Sequence, residues 1–240
     1  FKINRTQLSN LNIFRKNDIR GFITAKGEIK GKITDPDISI NFNVDYPHYK
    51  GIRIREIWEG DIKNKNNKFL LNMKNRYSPI PSFLSIKLDS KLKLDNVSFS
   101  RVFNSNKGTI GVVKENNSYI WRADNFPLDE LELSISNNQF DRIKGIINGS
   151  GSISSDQSFI SGRLAWSLGK YRNIELDNSL FDFSFKDDSF NVNSSLYPID
   201  GGIIEAKYNS NEKNLINLDF TDISTSWTIL TAVEIFNFDN

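Results

Sequence analysis

Cysteine and histidine, the side chains readiest for covalent and acid–base chemistry at neutral pH, are all but missing from these 240 residues, and the carboxylates that could replace them show no convergent pattern. There is no cysteine, which excludes disulfides, thiolate nucleophiles and cysteine-ligated zinc together. The single histidine, His48, stands in Tyr46-Pro47-His48-Tyr49, where a turn is its simplest use. Asp187 and Asp188 sit in Lys186-Asp187-Asp188-Ser189, a hairpin-turn composition, and an exposed pair lacks the burial that tunes carboxylates for general acid and base work. Gly149-Ser150-Gly151 superficially resembles a phosphate cradle but lacks the Lys-Ser/Thr pair and the helix that should follow it, so turn chemistry is expected there. Asn-x-Ser/Thr triplets at Asn96 and Asn148 occur in a chain where 30 of 240 residues are Asn, so chance supplies them. These residues predict no enzyme, no metal site and no cofactor.

The spacing that carries information belongs to apolar side chains, and their chemistry is the binding of hydrocarbon. Ile38, Ile40, Phe42, Val44 and Tyr46 alternate with Ser39, Asn41, Asn43 and Asp45, which puts the two sets on opposite faces of an extended strand. The same period recurs at Leu84, Ile86 and Leu88, at Leu92 and Leu94, and at Leu164, Trp166 and Leu168. It appears again at Phe181, Phe183 and Phe185, at Phe190 and Val192, at Ile204, Ala206 and Tyr208, and at Ile216, Leu218 and Phe220. Gly, Pro and Asn-Asp-Ser clusters separate these runs, so the pattern predicts an all-β antiparallel meander with one apolar and one wet face. Two places depart from alternation. Pro127, Asp129 and Glu130 suit the first turn of a short helix, although Leu131, Leu133 and Ile135 also alternate; Ser224 or Ser226 suits the cap of another, with Trp227, Leu230 and Val233 on its apolar side.

Composition narrows the classes. Hydrophobic residues make up 38% and charged residues 25%, and no run approaches the roughly 20 apolar residues of a membrane-crossing helix. Residues 1–120 carry 22 Lys and Arg against 11 Asp and Glu, whereas residues 121–240 carry 9 against 18. Such asymmetry can steer an anionic partner, but aromatic and basic residues do not interleave on one polar face, so no nucleic-acid partner is expected. The chain opens on Phe1 rather than Met, which reads as a fragment or a processed product.

An internal repeat organises the alternation. Ile19-Arg20-Gly21-Phe22-Ile23 with Gly27-Glu28-Ile29 matches Ile143-Lys144-Gly145-Ile146-Ile147 with Gly151-Ser152-Ile153, 124 residues later. Tyr49-Lys50 matches Tyr171-Arg172 at 122, and Phe69 matches Phe190 at 121. The spacing predicts a first unit over 1–117 and a second over 118–240 in one sheet that grows along an axis, as repeat architectures do. About fifteen strands at roughly 4.8 Å each would reach on the order of 70 Å.

A sheet with one apolar face can cover it with a second sheet, with a helix, or by curling into a trough that something else fills. A solid sandwich or solenoid would make this a structural or adhesive repeat binding protein or glycan. A trough would need a guest of matching polarity, and a flexible acyl chain contributes roughly 0.8 kcal/mol per buried methylene through contacts that still let it slide.

The ordered set of motifs in the second unit resembles the repeat of TamB-type proteins, the translocation and assembly module subunits and their AsmA-like relatives, in the wording of the cyanobacterial members. It runs through Trp121-Arg122-Ala123-Asp124-Asn125-Phe126-Pro127-Leu128, Ile143-Lys144-Gly145 to Gly149-Ser150-Gly151-Ser152-Ile153, Ser161-Gly162-Arg163-Leu164, Tyr171-Arg172-Asn173-Ile174, and Phe190 to Tyr197-Pro198-Ile199-Asp200-Gly201-Gly202. In the first unit Gly201-Gly202 becomes Pro81-Ser82 and Gly149 becomes Ala25. The resemblance implies an elongated, curled sheet with a U-shaped hydrophobic groove, called a β-taco, and one or two short helices. It implies no catalysis, and a periplasmic location in a protein anchored in the inner membrane. It implies phospholipid acyl chains as cargo between the two membranes, a link to outer-membrane protein assembly, and an Omp85-class barrel met through a region outside this segment, as is the anchor. The groove would be lined by the alternating set from Ile38 to Phe220, apart from Tyr46, Ala206, Tyr208 and Ile216.

Overall fold

A computed structural model describes residues 1–10, 12, 15, 19–32, 35–49, 52–54, 56–65, 68–78, 80–91, 93–103, 106–129, 131–136, 139–156, 158–171, 174–187, 189–211 and 215–229. In chain order the strands are β1 (Lys2–Gln7), β2 (Ile19–Lys32), β3 (Asp35–Tyr49), β4 (Ile52–Ile54), β5 (Ile57–Lys65), β6 (Lys68–Arg76), β7 (Ser82–Leu88), β8 (Leu94–Phe103), β9 (Asn106–Glu115), β10 (Ser118–Pro127), β11 (Leu131–Ser136), β12 (Gln139–Ser154), β13 (Phe159–Tyr171), β14 (Ile174–Leu176), β15 (Ser179–Lys186), β16 (Ser189–Leu196), β17 (Ile203–Asn209) and β18 (Leu215–Thr221). The ladders described are antiparallel, and the fold is all-β as the period-two pattern predicts. Leu92 lies outside the described residues.

The chain forms two compact units, Phe1–Lys114 with Glu130–Asp141, and Glu115–Asp129 with Arg142–Asn240. In the first, β1 pairs with β2, β2 with β3, β3 with β5, and β5 through β9 follow in sequence, while short β4 adds to β3 and takes β11 on its other side. In the second, β10 pairs with β12, β12 with β13, β13 with β15, and β15 through β18 follow, with β14 folded onto β13. The pairing scheme β1–β2–β3–β5–β6–β7–β8 therefore recurs as β10–β12–β13–β15–β16–β17–β18. Irregularities recur too. Gly21 (φ 125°) and Gly145 (φ 115°) occupy the same bulge, where the ladder slips between Arg20 and Phe22 and between Lys144 and Ile146. A side chain there would meet a neighbouring strand's backbone within 3 Å, so glycine is required by both φ and space.

Three local expectations are corrected. No helix begins at Pro127: the residue closes β10 opposite Ile146, Leu128 donates its N–H to the Gly145 carbonyl at 2.8 Å, and β11 follows, so ladder hydrogen bonds override the helix-start composition. His48 is a strand residue of β3, opposite Arg20 and Arg53, because the bend is absorbed just before it by Tyr46 (φ 52°). Gly149-Ser150-Gly151 runs mid-strand in β12. Asp187 does take the hairpin turn, at φ 48°, between paired Lys186 and Ser189. The C-terminal helix begins where the sequence indicates. Ser224 Oγ accepts the Trp227 N–H at 3.1 Å, residues 225–229 are α-helical, and Trp227 is buried, while Leu230 and Val233 lie outside the described residues.

Candidate functional site

Strand register turns the alternating residues into continuous rows. In the first unit one row runs Ala25, Phe42, Gly60, Met73, Leu84, Phe99, Ile110 across seven strands. Beside it runs Gly27, Ile40, Ile62, Leu71, Ile86, Val97, Val112. Ile38 opposes Ile29, Val44 opposes Ile23, and Leu88 lies between Phe69 and Leu94 on the same face. In the second unit the rows are Trp121, Gly151, Gly162, Phe183, Val192, Tyr208, Ile216 and Ala123, Gly149, Leu164, Phe181, Ser194, Ala206, Leu218, with Ile153, Ile160, Phe185, Phe190 along one side. Each opposite face is mostly polar, as in Asn41, Asp61, Asn72, Ser85 and in Arg163, Asp182, Asn193, Lys207, Asn217.

The first unit's face curls inward. Trp58 on β5 and Phe99 on β8 bring their rings to 5.9 Å with β6 and β7 running between them. Three strand spacings amount to about 14 Å, which side chains standing off a flat sheet do not span. In the second unit the same interval is crossed differently. The Trp121 indole lies down over Gly151 and Gly162, stacks on Phe183 at 5.7 Å, and donates Nε1–H to the Ser161 carbonyl at 3.0 Å. Trp166, whose Nε1 donates to the Lys144 carbonyl, covers Gly145 and Gly169 and meets Phe181 at 6.4 Å.

These faces are only partly closed. Buried apolar side chains gather into two small clusters, Leu8, Ala25, Phe42 and Val44 in the first unit and Ile174, Leu176, Ile204 and Trp227 in the second. Outside these clusters, Ile38, Ile40, Leu84, Ile86, Leu88 and Leu94 of the first unit and Leu164, Trp166, Phe181, Phe183, Phe185 and Val192 of the second are half-buried. Phe190, Leu218 and Phe220 are exposed, the last two at 49% and 57%. Leu168 leaves the row: its backbone is left-handed at φ 52° beside the Gly145 bulge, and its side chain is 71% exposed.

Alternation did not single out the polar end of the first unit's face. The row that reads Ile204, Phe220 in the second unit reads Asn75, Ser82, Arg101 in the first, all turned inward. Arg101 is 1% exposed, its Nε donates to Ser82 Oγ, and Asn75 donates to the buried Glu56 carboxylate at 2.8 Å, as does Ser78. A lone Asn and Arg in phase with apolar neighbours is the signal, legible only once the register is known. The described carboxylates held below their usual range, Glu28, Asp89, Asp156 and Asp182, lie at turns or on polar surfaces; Asp182 is held down chiefly by its two hydrogen bonds from Arg163 at 2.7 and 3.0 Å. None of them faces a row of apolar residues. Among the described residues no helix is long and apolar enough to cross a membrane. Compared with known proteins, the chain matches no family model, no curated protein and no solved structure.

Proposed function

We propose that the chain is a segment of a TamB-like, periplasm-spanning lipid-transport protein, held in the inner membrane by sequence outside this segment. Phospholipid acyl chains lie along the apolar rows of each unit, with headgroups kept at the wet margin. The observation that carries this reading is the pair of apolar rows in each unit, broken only by glycine, alanine and Ser194 and left half-open to solvent. A folded protein gains by closing such a surface; leaving it open over seven strands supports a hydrocarbon occupant. Each methylene laid on the rows contributes roughly 0.8 kcal/mol, so a long acyl chain is retained while no directional bond stops it from sliding. The activity is passive and non-enzymatic, contributes to outer-membrane protein assembly through lipid supply, and meets an Omp85-class barrel through a different part of the protein.

The test is mass spectrometry of lipids that co-purify with the chain, on the unchanged protein and on Leu218→Asp, Phe183→Asp and Asn193→Asp. Leu218 is exposed enough for a carboxylate to leave the fold intact, and Asn193 is on the polar face. Phospholipid is expected on the unchanged chain and on Asn193→Asp, and at least several-fold less on the other two. Absence of lipid above control, or equal lipid on all four proteins, overturns the proposal.

A further inference from the structure

The polar face of the first unit holds a feature that acyl-chain binding does not use. An open depression of about 520 Å³ crosses that face from β1 to β7, within the range of small-ligand sites. Lys2 and Phe83 mark its two sides, and both belong to the polar face: Lys2 stands opposite Lys26, and Phe83 opposite Lys74. Between them lie the side chains of Asn41, Asn43, Asn72, Glu59 and Asp61.

Two local conflicts converge on this depression. Lys2 and Lys26 are directly opposed in the β1–β2 ladder, and like charges so placed destabilise a sheet. Among the described residues no carboxylate is within ion-pair distance of either, because Glu28 pairs with Lys30 at 2.6 Å, Asp61 with Lys63 at 3.3 Å and Glu59 with Lys74 at 3.1 Å. Phe83 is the second conflict: an aromatic ring on the wet face, 47% exposed, with no ring partner among the described residues. A ligand that carries an anionic group, many hydroxyls and a flat C–H surface relieves both. The ring's negative face meets C–H groups, side-chain amides both donate to and accept from hydroxyls, and the paired ammoniums take the acid. Glu59 and Asp61 in the same depression oppose any ligand charged along its whole length, a nucleic acid included, and favour one whose single acidic group lies at the Lys2–Lys26 end.

We propose that the polar face of the first unit binds an acidic saccharide, a sugar carrying a carboxylate or phosphate, between the Lys2–Lys26 pair and Phe83. The site is independent of the apolar rows and stands or falls separately from lipid binding.

The experiment titrates the whole chain with cellotetraonate, cellotetraose whose reducing end is oxidised to a carboxylate, by calorimetry, against neutral cellotetraose, inorganic phosphate and a short single-stranded oligonucleotide. Cellotetraonate is expected to bind about 10-fold more tightly than cellotetraose, a difference of about 1.4 kcal/mol. Phe83→Ala is expected to weaken it about 5-fold and Lys26→Gln by a similar factor. Lys87→Gln, on the same face but beyond the depression, leaves it unchanged. Equal affinity for phosphate with no effect of Phe83→Ala reduces the feature to an anion site and overturns the proposal. So does equal affinity for cellotetraose, tighter binding of the oligonucleotide, or no binding at all. Circular dichroism showing unchanged strand content keeps a null result in either variant interpretable.

Discussion

Replacement of Gly162 by Ala tests how the second unit's apolar face is built. A Cβ at this position would stand 2.0 Å from Trp121 Cζ2, where ordinary contact begins at 3.4 Å, so the indole must retreat by about 1.4 Å. It has little room, being 7% exposed and fixed by the Ser161 carbonyl at 3.0 Å and by Phe183 at 5.7 Å. Displacement costs roughly 1 kcal/mol of hydrogen bond and roughly 1 kcal/mol of ring stacking, with about 1–2 kcal/mol of residual overpacking, in all about 3–4 kcal/mol. Guanidinium unfolding followed by circular dichroism measures it, with the denaturant slope expected to stay constant. Gly201→Ala is the control: its φ of 96° strains any side chain, but nothing lies within 4 Å, so roughly 1 kcal/mol is expected. In the Gly162→Ala background, Trp121→Leu should recover at least about 1 kcal/mol of the expected additive loss, partial because Ser150 O also stands at 2.7 Å. A Gly162→Ala cost below about 0.5 kcal/mol, the level of a surface change, or zero coupling to Trp121, would refute the picture of an indole lying on glycines.

Ser224→Ala removes the cap that receives the Trp227 N–H and is expected to lower stability by about 1 kcal/mol, with a shift in tryptophan emission as Trp227 loosens from Ile204. Glu56→Ala deprives Asn75 and Ser78 of a buried acceptor and should cost about 2–3 kcal/mol in chemical unfolding, more than Glu205→Ala on the exposed polar face. Asp156 is held down to about 2, first by the Ser154 hydroxyl and then by the Ser158 amide and hydroxyl. A depressed carboxylate stabilises its turn above the usual carboxylate value of 3.8 and loses that contribution as pH falls toward about 2. Protection factors at Ser158 and Phe159, taken relative to intrinsic exchange at each pH, should therefore fall across that window, and Asp156→Asn should abolish the pH dependence.

Period-two alternation is a local property, and it was enough to establish an all-β chain, two faces, and the membership of Phe42, Phe183 or Leu218 in the apolar one. The start of the helix after Ser224 was equally legible, because a cap is a short-range signal. Long-range hydrogen bonding decided the rest. Ladder pairing overrode the helix-start composition at Pro127 and drew His48 into β3, and a bulge at Gly145 turned Leu168 out of the row its spacing suggested. The bulge is one residue wide, and a single-residue slip reverses every later side chain, which no window of alternation reveals. Tertiary register also chose what each row contains. Arg101 and Ser82, nineteen positions apart, became a buried polar pair beside Asn75; Trp121 found two glycines 30 and 41 positions away to lie on; and Phe83 joined Lys2 and Lys26 on one wet surface. Side-chain type prescribes a face, but only the strands brought alongside prescribe the neighbours, and neighbours are what make a site.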